Sequence, residues 1–341
     1  MKAAVCDPEV PVLPTRPRLA RRGAIVLATG ALALSLAGCG GQAPAAQPRH
    51  SSTARLSASS PTSSTSSTSS TGSTGSTATS SRKVTKLLVF VIENHSLGEM
   101  KAQMPFTWRL ARRFAYATDY HGIRHPSLPN YLAIAGGSTF GVADDNPPSA
   151  HKIKGRSVFG QALANGRTAK LYADGMPADC ALASGGDNYA VKHNPWAYFV
   201  DERHACNRYD VPLPALATDV SNGHLPNAGM VVPNLQHDAH DGTLAAADTW
   251  LRNKVNMIRQ GTDWTSGRLA IVITADEDDS QHGNRVLTVV ASKSTPHGRV
   301  VKTRLNHYSL TRLYDDVLGV RHLRHARTAA SMTKAFSVPV R

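Results

Sequence analysis

The chain has 341 residues, with 38 Lys and Arg against 24 Asp and Glu, for a formal charge of +14 at pH 7. Such a balance favours anionic partners, phosphate esters and acidic lipid headgroups among them. Nucleic acid would suit the charge equally, but no recognition motif accompanies it, so nucleic acid is not expected as a partner.

Near the start, Arg16, Arg18, Arg21 and Arg22 precede a weakly polar run from Gly23 to Gly38. Basic residues followed by a short Ala/Gly-rich apolar stretch read as a secretory signal, too short for a permanent membrane span. Leu36-Ala37-Gly38-Cys39 resembles the bacterial lipobox, which implies cleavage before Cys39 and a lipid on its sulfur. Residues 1–38 are then a lipoprotein signal peptide, and losing their five basic and two acidic residues leaves +11. Arg21-Arg22 leaves general and twin-arginine export both open. Residues 39–82 are almost all Ser, Thr, Ala, Gly and Pro. They hold too little apolar surface to offset ordering entropy, and are expected to form a disordered tether of roughly 35 Å root-mean-square reach. The expected location is the outer face of a bacterial membrane, lipid-anchored, or secretion. With Cys6 removed and Cys39 lipidated, Cys180 and Cys206 remain. In an oxidising compartment they read as one disulfide, worth about 3 kcal/mol by loop closure.

Residues 83–336 are enough for one sizeable α/β domain. A first strand at 86–92 ends in Glu93-Asn94-His95-Ser96. Helical spacing follows from Phe106 to Phe114, and Ser127 opens a second helix running toward Gly136. After a helix from Val158 to Leu163 come a strand at 169–173 and a Gly-, Asn- and Pro-rich stretch, 174–227, with both cysteines. That stretch is expected to be one long insertion. The strand at 229–232 leads into Asn234, His237, Asp238, His240 and Asp241; a helix spans Leu244 to Ile258. The strand at 269–275 ends in Asp276-Glu277-Asp278-Asp279, another is expected at 286–291, and Gly319 closes a last helix from Tyr308 to Leu318. Uninterrupted β-branched runs alternating with helices predict an α/β three-layer sandwich with a mostly parallel central sheet. Ligands of such sheets bind outside the carboxyl ends of the strands. Three strands delivering carboxylates, imidazoles and amides to that edge point to a metal-assisted active site.

Ser127 lies in His125-Pro126-Ser127-Leu128-Pro129-Asn130-Tyr131. A hydroxyl at a helix start faces unpaired N–H groups that favour an alkoxide and a phosphate; simple helix capping is the alternative. The block, with Glu93-Asn94-His95-Ser96, His193-Asn194-Pro195, 233–241, Asp276-Glu277-Asp278 and Asn306-His307-Tyr308-Ser309-Leu310, resembles the bacterial phosphoesterase family of acid phosphatases and phospholipases C. This family belongs to the alkaline phosphatase superfamily, and the nearest likeness is to small secreted actinobacterial acid phosphatases, some acting on phosphatidylinositol 3-phosphate.

The resemblance implies an alkaline phosphatase-like fold and a phosphate-ester substrate. It makes Ser127 the nucleophile, with Asn130 holding a non-bridging oxygen. Glu93, Asn94, Asp276 and Glu277 become ligands of a divalent metal ion, and Asp238, His240 and His307 are further ligand candidates. His125, His193 and His237 are candidates for contacting phosphate or protonating the leaving group. Asp278 and Asp279 fit a surface acidic turn equally well. The Asp-Ser nucleophile pattern of the well-known three-metal alkaline phosphatases is absent, so metal number and identity stay open. Oxygen donors admit Mg, Mn or Ca, while the imidazoles also suit Zn or Fe. Alternatives are a phospholipase C-type phosphodiesterase and a lipid-anchored binding protein without catalysis; oligomeric state is not readable.

Overall fold

The computed structural model describes residues 82–340. The signal peptide expected at 1–38, Cys39 and nearly all of the expected tether fall outside the described residues. The strands are β1 (Lys86–Ile92), β2 (Ala115–Ala117), β3 (Tyr120–His121), β4 (Ala169–Ala173), β5 (Asp210–Pro212), β6 (Ala228–Val232), β7 (Leu269–Ala275), β8 (Thr288–Ser292), β9 (Arg299–Val301) and β10 (Leu305–Asn306). The helices are α1 (Leu97–Gln103), α2 (Pro105–Arg113), α3 (Ser127–Gly136), α4 (Val158–Ala164), α5 (Arg203–Tyr209), α6 (Ala215–Asn222), α7 (Leu244–Gln260), α8 (Thr262–Thr265), α9 (His307–Leu318) and α10 (Met332–Phe336).

Eight strands form one sheet in the order β5-β4-β6-β1-β7-β8-β2-β9. Its pairs are parallel except those β8 makes with β7 and β2. The central strands β6 and β7 are buried at every position, and β1 at all but Lys86. That burial is what an apolar run without alternation requires, because helices must cover both faces. On one face α7 starts from a Thr243 cap and turns Ala247, Trp250, Leu251, Val255 and Ile258 inward, with Trp250 edge-on to Phe90 at 6.2 Å. On the other, α9 is capped by Asn306 and stopped by Gly319 in the left-handed region (φ 68°). It is tied to β6 by the Tyr314 hydroxyl, which donates to the Gly229 carbonyl at 2.6 Å. The α/β sandwich with a mostly parallel sheet is therefore present as the sequence implied.

Two sequence expectations differ from what is found. The stretch 174–227 is not one insertion: β5 pairs in parallel with β4, and α6 packs beside α7. The excursion proper is confined to about residues 174–209, and Cys180 and Cys206 are bonded across it with Cα atoms 5.3 Å apart. The strand expected at 286–291 is shifted to Thr288–Ser292. The short strands β2, β3, β5, β9 and β10 span two or three residues each, too few to display a period in sequence.

Candidate active site

Strand register builds the site. β1 and β7 run side by side with Ile92 opposite Ala275, so Glu93 and Asp276 leave the sheet as neighbours. The Asp276 N–H donates to the Ile92 carbonyl at 2.9 Å, and the Asn94 N–H to Asp276 Oδ1 at 3.1 Å. From the opposite side, the Glu93 N–H donates to the Asp238 carbonyl at 2.9 Å, stitching the loop after β6 to the same point. Adjacent strands thus deliver Asp238, Glu93, Asp276 and Glu277 to one buried spot.

Ser127 is the first residue of α3, buried, and its hydroxyl donates to Glu93 Oε2 at 2.8 Å. The helix start is less open to a phosphate than the sequence suggested. Asp145 Oδ1 accepts the Leu128 N–H at 2.9 Å, and Pro129 has no N–H to give. Asn130 likewise departs from its expected role. Its Oδ1 accepts from the N–H groups of Ile123 and Arg124, and its Nδ2 donates to the carbonyls of Arg124 and Pro126 and to Glu277 Oε2 at 2.9 Å. With every hydrogen-bonding position spent, Asn130 shapes the turn before Ser127 and fixes Glu277 instead of holding a phosphate oxygen.

His193 is fully buried, with Nε2 3.1 Å from Glu93 Oε1 and Nδ1 3.1 Å from Asp238 Oδ2. Both contacts are close, yet neither nitrogen is aligned for a hydrogen bond. Tyr131 stacks on the imidazole at 5.1 Å and 14°. Burial alone would lower the His193 pKa, but the Glu93 and Asp238 carboxylates outweigh it and hold it up at about 9. Burial acts upward on Glu93 as well, and there His193 and Lys192 win, drawing it down to about 2. Asp276 makes no ion pair: burial, then the charges of Glu93 and Glu277, push it well above the usual carboxylate range. Burial also raises Asp238, and it lifts Glu277 to about 7 against the pull of His125.

His125 joins the rim, with Nδ1 3.2 Å from Glu277 Oε1 and Nε2 3.3 Å from Asp278 Oδ1. His240 stands at the edge, its ring 5.9 Å from that of His193 and its Nδ1 on Asp241. Two expected residues do not join. His237 hydrogen-bonds Asp174 at 2.7 Å and stacks on Trp250, so its ring is engaged outside the cluster. His307, expected as a metal ligand, has both nitrogens in use: Nδ1 pairs with the Tyr120 hydroxyl and Nε2 with the Asp276 carbonyl. Burial lowers its pKa to about 4, so it is a neutral prop beneath Asp276. Asp278 organises the following turn by accepting from the N–H groups of Ser280, His282 and Asn284.

Three members were not singled out from sequence. Lys192 donates to Asp145 at 3.0 Å, and Glu93, Asp145 and Asp276 raise its pKa against the opposing effect of burial. Tyr131 presents a buried hydroxyl without a hydrogen-bond partner. Tyr131 closes the 125–131 block and Lys192 adjoins His193-Asn194-Pro195, and those positions were the available signal. Asp145 sits in a loop with none.

The chemistry of this donor set fits a cation. Five carboxylates (Glu93, Asp145, Asp238, Asp276 and Glu277) face Lys192 and the two imidazoles of His125 and His193. Glu93 Oε1, Asp238 Oδ2 and Asp276 Oδ2 are buried with no hydrogen-bond partner, as are both His193 nitrogens. His193 already stands 3.1 Å from the Glu93 and Asp238 oxygens, which leaves Asp276 Oδ2 with neither a hydrogen bond nor an ion pair, a cost that a bound cation would offset. The donors stand in pairs and do not converge on one point. Among the described residues, the triads whose donor atoms all lie within 4.8 Å are Cys180, Cys206 and Asp210, whose sulfurs are bonded to each other, and the partly exposed Glu99, Asp279 and His282.

The phosphatidylinositol-3-phosphatase of Mycobacterium tuberculosis is 28% identical over 255 residues, covering 72% of this chain and 81% of the relative. The phosphate-repressible acid phosphatase of Penicillium chrysogenum is 28% identical over 218 residues, or 59% of this chain, which spans about half (51%) of that longer protein. In fold, the chain aligns with the lipoteichoic acid synthase LtaP of Listeria monocytogenes at a TM-score of 0.50 and 9% identity, covering 72% of this chain and 76% of that one. The Phosphoesterase family model matches residues 93–321, which takes in Glu93, Ser127, His193, Asp238, Asp276 and Glu277 alike, and the chain belongs to that family.

Proposed function

We propose that the protein is an exported, lipid-anchored phosphomonoesterase that works through a phosphoserine intermediate with a divalent cation. The carrying observation is the Ser127 hydroxyl, 2.8 Å from Glu93 at the edge of a cluster rich in buried, unpartnered carboxylate oxygens. A dianionic phosphate would be repelled by that cluster unless a cation intervened. Glu93 and Asp276, neighbours at the ends of β1 and β7, would hold the ion, with Asn94, Asp238 and Glu277 beside them. When bound, it supplies positive charge to the phosphoryl oxygens and to the serine oxygen.

The residues of the chain account for the proton traffic. As Ser127 Oγ bonds to phosphorus, its proton passes to Glu93 Oε2. The phosphorus–oxygen bond to the alcohol breaks, and the departing oxygen takes a proton from His193, whose two nitrogens lie 3.1 Å from Glu93 and Asp238. Water then attacks phosphorus from the vacated side and gives its proton to neutral His193, while Ser127 recovers its own from Glu93. Lys192 offsets charge next to Asp145. The names of the relatives support phosphate monoesters, phosphoinositides among them, as substrates.

The test is phosphate release from p-nitrophenyl phosphate by wild type and Ser127→Ala, with and without chelator. Turnover is expected in the wild type, near-complete loss in the variant, and a fall on chelation. A variant as active as the wild type would overturn the assignment. Release from a diester in preference to the monoester would move the reading to a phosphodiesterase.

A further inference from the structure

We propose that the edge of the sheet opposite the active site is a docking face for a bilayer surface carrying anionic phospholipids, through a continuous group of cations. Docking does not depend on the phosphatase reading above; only its meaning for substrates does.

Register places the cations. β1 starts with Lys86 beside Leu269 of β7, so Arg82, Lys83 and Arg268 lie at the edge away from Glu93 and Asp276. β8 runs against β7 with Ser292 opposite Ala270, which brings Lys293 to the same edge. In β2, Ala115 faces Val290 on one side and Arg299 of β9 on the other, adding Arg113 and Arg299. α7, which starts on the active-site side, reaches this edge with Arg259 in its last turn. The length of a seven-residue strand, roughly 20 Å, separates the edge from the site.

The side chains form one group. Arg113 and Arg259 both stand over the Phe114 ring, at 5.7 and 5.9 Å, and Arg259 also lies 5.5 Å over Trp264. Beside Trp264, the Lys293 ammonium donates to the Thr265 carbonyl and the Arg82 guanidinium to that of Ser266, each at 3.1 Å. These partners are neutral, so the charges stand unopposed. Burial and then the Arg113 charge lower the Arg259 pKa, and Arg259 Nε is buried without a hydrogen-bond partner. The buried Asp263 offers no relief to the group beyond Arg268, at 3.4 Å, because Lys86 pairs with it at 2.7 Å. Arg82 and Lys293 also line a cavity of about 690 Å³ with serine and threonine hydroxyls and no carboxylate, room for a phosphodiester headgroup.

Two features favour a bilayer over a soluble anion. The cations are spread along an edge from β1 to β9, wider than one phosphate. The chain also enters the described domain at Arg82, on this edge, where the proposed tether would bring it to the membrane. Basic residues near an anionic leaflet are drawn to it. A domain lying on this face turns Ser127 away from its own membrane, toward esters in solution or on a facing surface.

The experiment compares partition of the full chain into phosphatidylglycerol–phosphatidylcholine vesicles and into phosphatidylcholine alone. Cys39→Ser with Arg16→Gln, Arg18→Gln, Arg21→Gln and Arg22→Gln is carried throughout, removing the lipid and the leader's charge. Lys83→Gln, Arg113→Gln and Lys293→Gln, all at exposed positions, are combined in the test variant, and its Tm should match the parent's. The parent's preference for anionic vesicles is expected to fall roughly a hundredfold in that variant, about fivefold per cation. It should also fall between about 0.1 and 1 M salt, as the screening length drops from ~10 to ~3 Å. With Cys6→Ser added, a fluorophore on Thr265→Cys, in the cavity wall, should be quenched by an acceptor lipid, and one on Gln281→Cys, in the turn beyond β7, should not. Partition unaltered in the variant, indifference to salt, or quenching at Gln281 in place of Thr265 would overturn the proposal. Tighter binding to soluble polyphosphate than to vesicles would also overturn it, giving the face to an anionic polymer. A variant with a lowered Tm leaves the salt and fluorophore readings to decide. None of these uses phosphate release, so failure of the phosphatase assignment would leave them standing.

Discussion

Ser127 Oγ donates to Glu93 Oε2 across 2.8 Å, joining the first turn of α3 to the end of β1 in a contact between residues 34 positions apart in sequence. The two side chains share one proton path, so their losses should overlap. Glu93→Gln is expected to lower kcat by roughly 10²- to 10⁴-fold, the range for a group that handles a proton in the transition state. Combined with Ser127→Ala it should cost little beyond the serine change alone. Steady-state kinetics on the two single variants and the double variant would check this, and additive losses would place Glu93 outside the serine's step.

Cation binding is expected to appear in stability as well as turnover. A divalent ion at about 100 times its dissociation constant should add roughly 2.7 kcal/mol, because it binds the folded chain alone. Asp276→Asn keeps the acceptor for the Asn94 N–H and removes a buried carboxylate oxygen that has no partner. Its chelated form should melt no lower than the wild type, while the rise in Tm on adding Mg, Mn, Ca or Zn is lost. Thermal scans with chelator and with each ion measure both quantities, and an undiminished rise in the variant would remove Asp276 from the ligand set.

Tyr131→Phe isolates a single buried hydroxyl. The ring's stacking on His193 survives the change, and the atom removed has no hydrogen-bond partner. If the hydroxyl served folding alone, nothing would be lost on its removal, since an unsatisfied buried group costs about 1–3 kcal/mol. The chelated variant is therefore expected to match or exceed the wild type in Tm while kcat falls. Unchanged kcat would assign Tyr131 to packing.

Stability should fall as pH rises above 6.5. Burial lifts Asp210 and Asp315 from the ordinary 3.8 to about 8, and His193 is held at about 9 against an ordinary 6.5. In each case the folded state keeps a proton that the unfolded chain releases, so raising pH toward the folded-state value favours unfolding. His307 acts in the other direction. Its folded value of about 4 lies below 6.5, so acidification from 6.5 toward 4 favours the unfolded state. The Tm measured with chelator should decline from pH 6.5 to 8, and Asp315→Asn, a neutral mimic, should flatten the decline. A rising Tm across that interval would contradict the burial of these groups.

Reduction of Cys180–Cys206 should loosen the excursion that carries Lys192 and His193. The closed loop, with a sequence separation of 26, is worth about 3 kcal/mol. For a domain of this size that corresponds to a drop of roughly 10 °C in Tm. Scans with and without reductant would measure it, and an unchanged Tm would show that packing alone holds the excursion.

The strands that carry the chemistry were readable in sequence because β1, β6 and β7 are apolar throughout and end in clustered polar residues. Ser127, Glu93 and Asp276 followed from that pattern and from the motifs around them. The partners each side chain would choose were not readable. Asn130 and His307 carry the same donors and acceptors whether they face a ligand or a carbonyl, and only the folded chain shows that backbone groups claim them. Asp145 reaches the start of α3 from a loop 17 residues away, a distance at which no periodicity survives.

The side-by-side exit of Glu93 and Asp276 from β1 and β7 has a consequence for how the protein fails. These strands lie at the middle of the sheet, where the last native structure to open is expected. The carboxylates cannot drift apart while that pairing persists, so warming should leave the centre competent until the whole domain gives way. Heat inactivation and loss of secondary structure are then one event, traced by superimposable curves. Changes on the disulfide-bridged excursion, by contrast, should erode turnover well before the sheet melts.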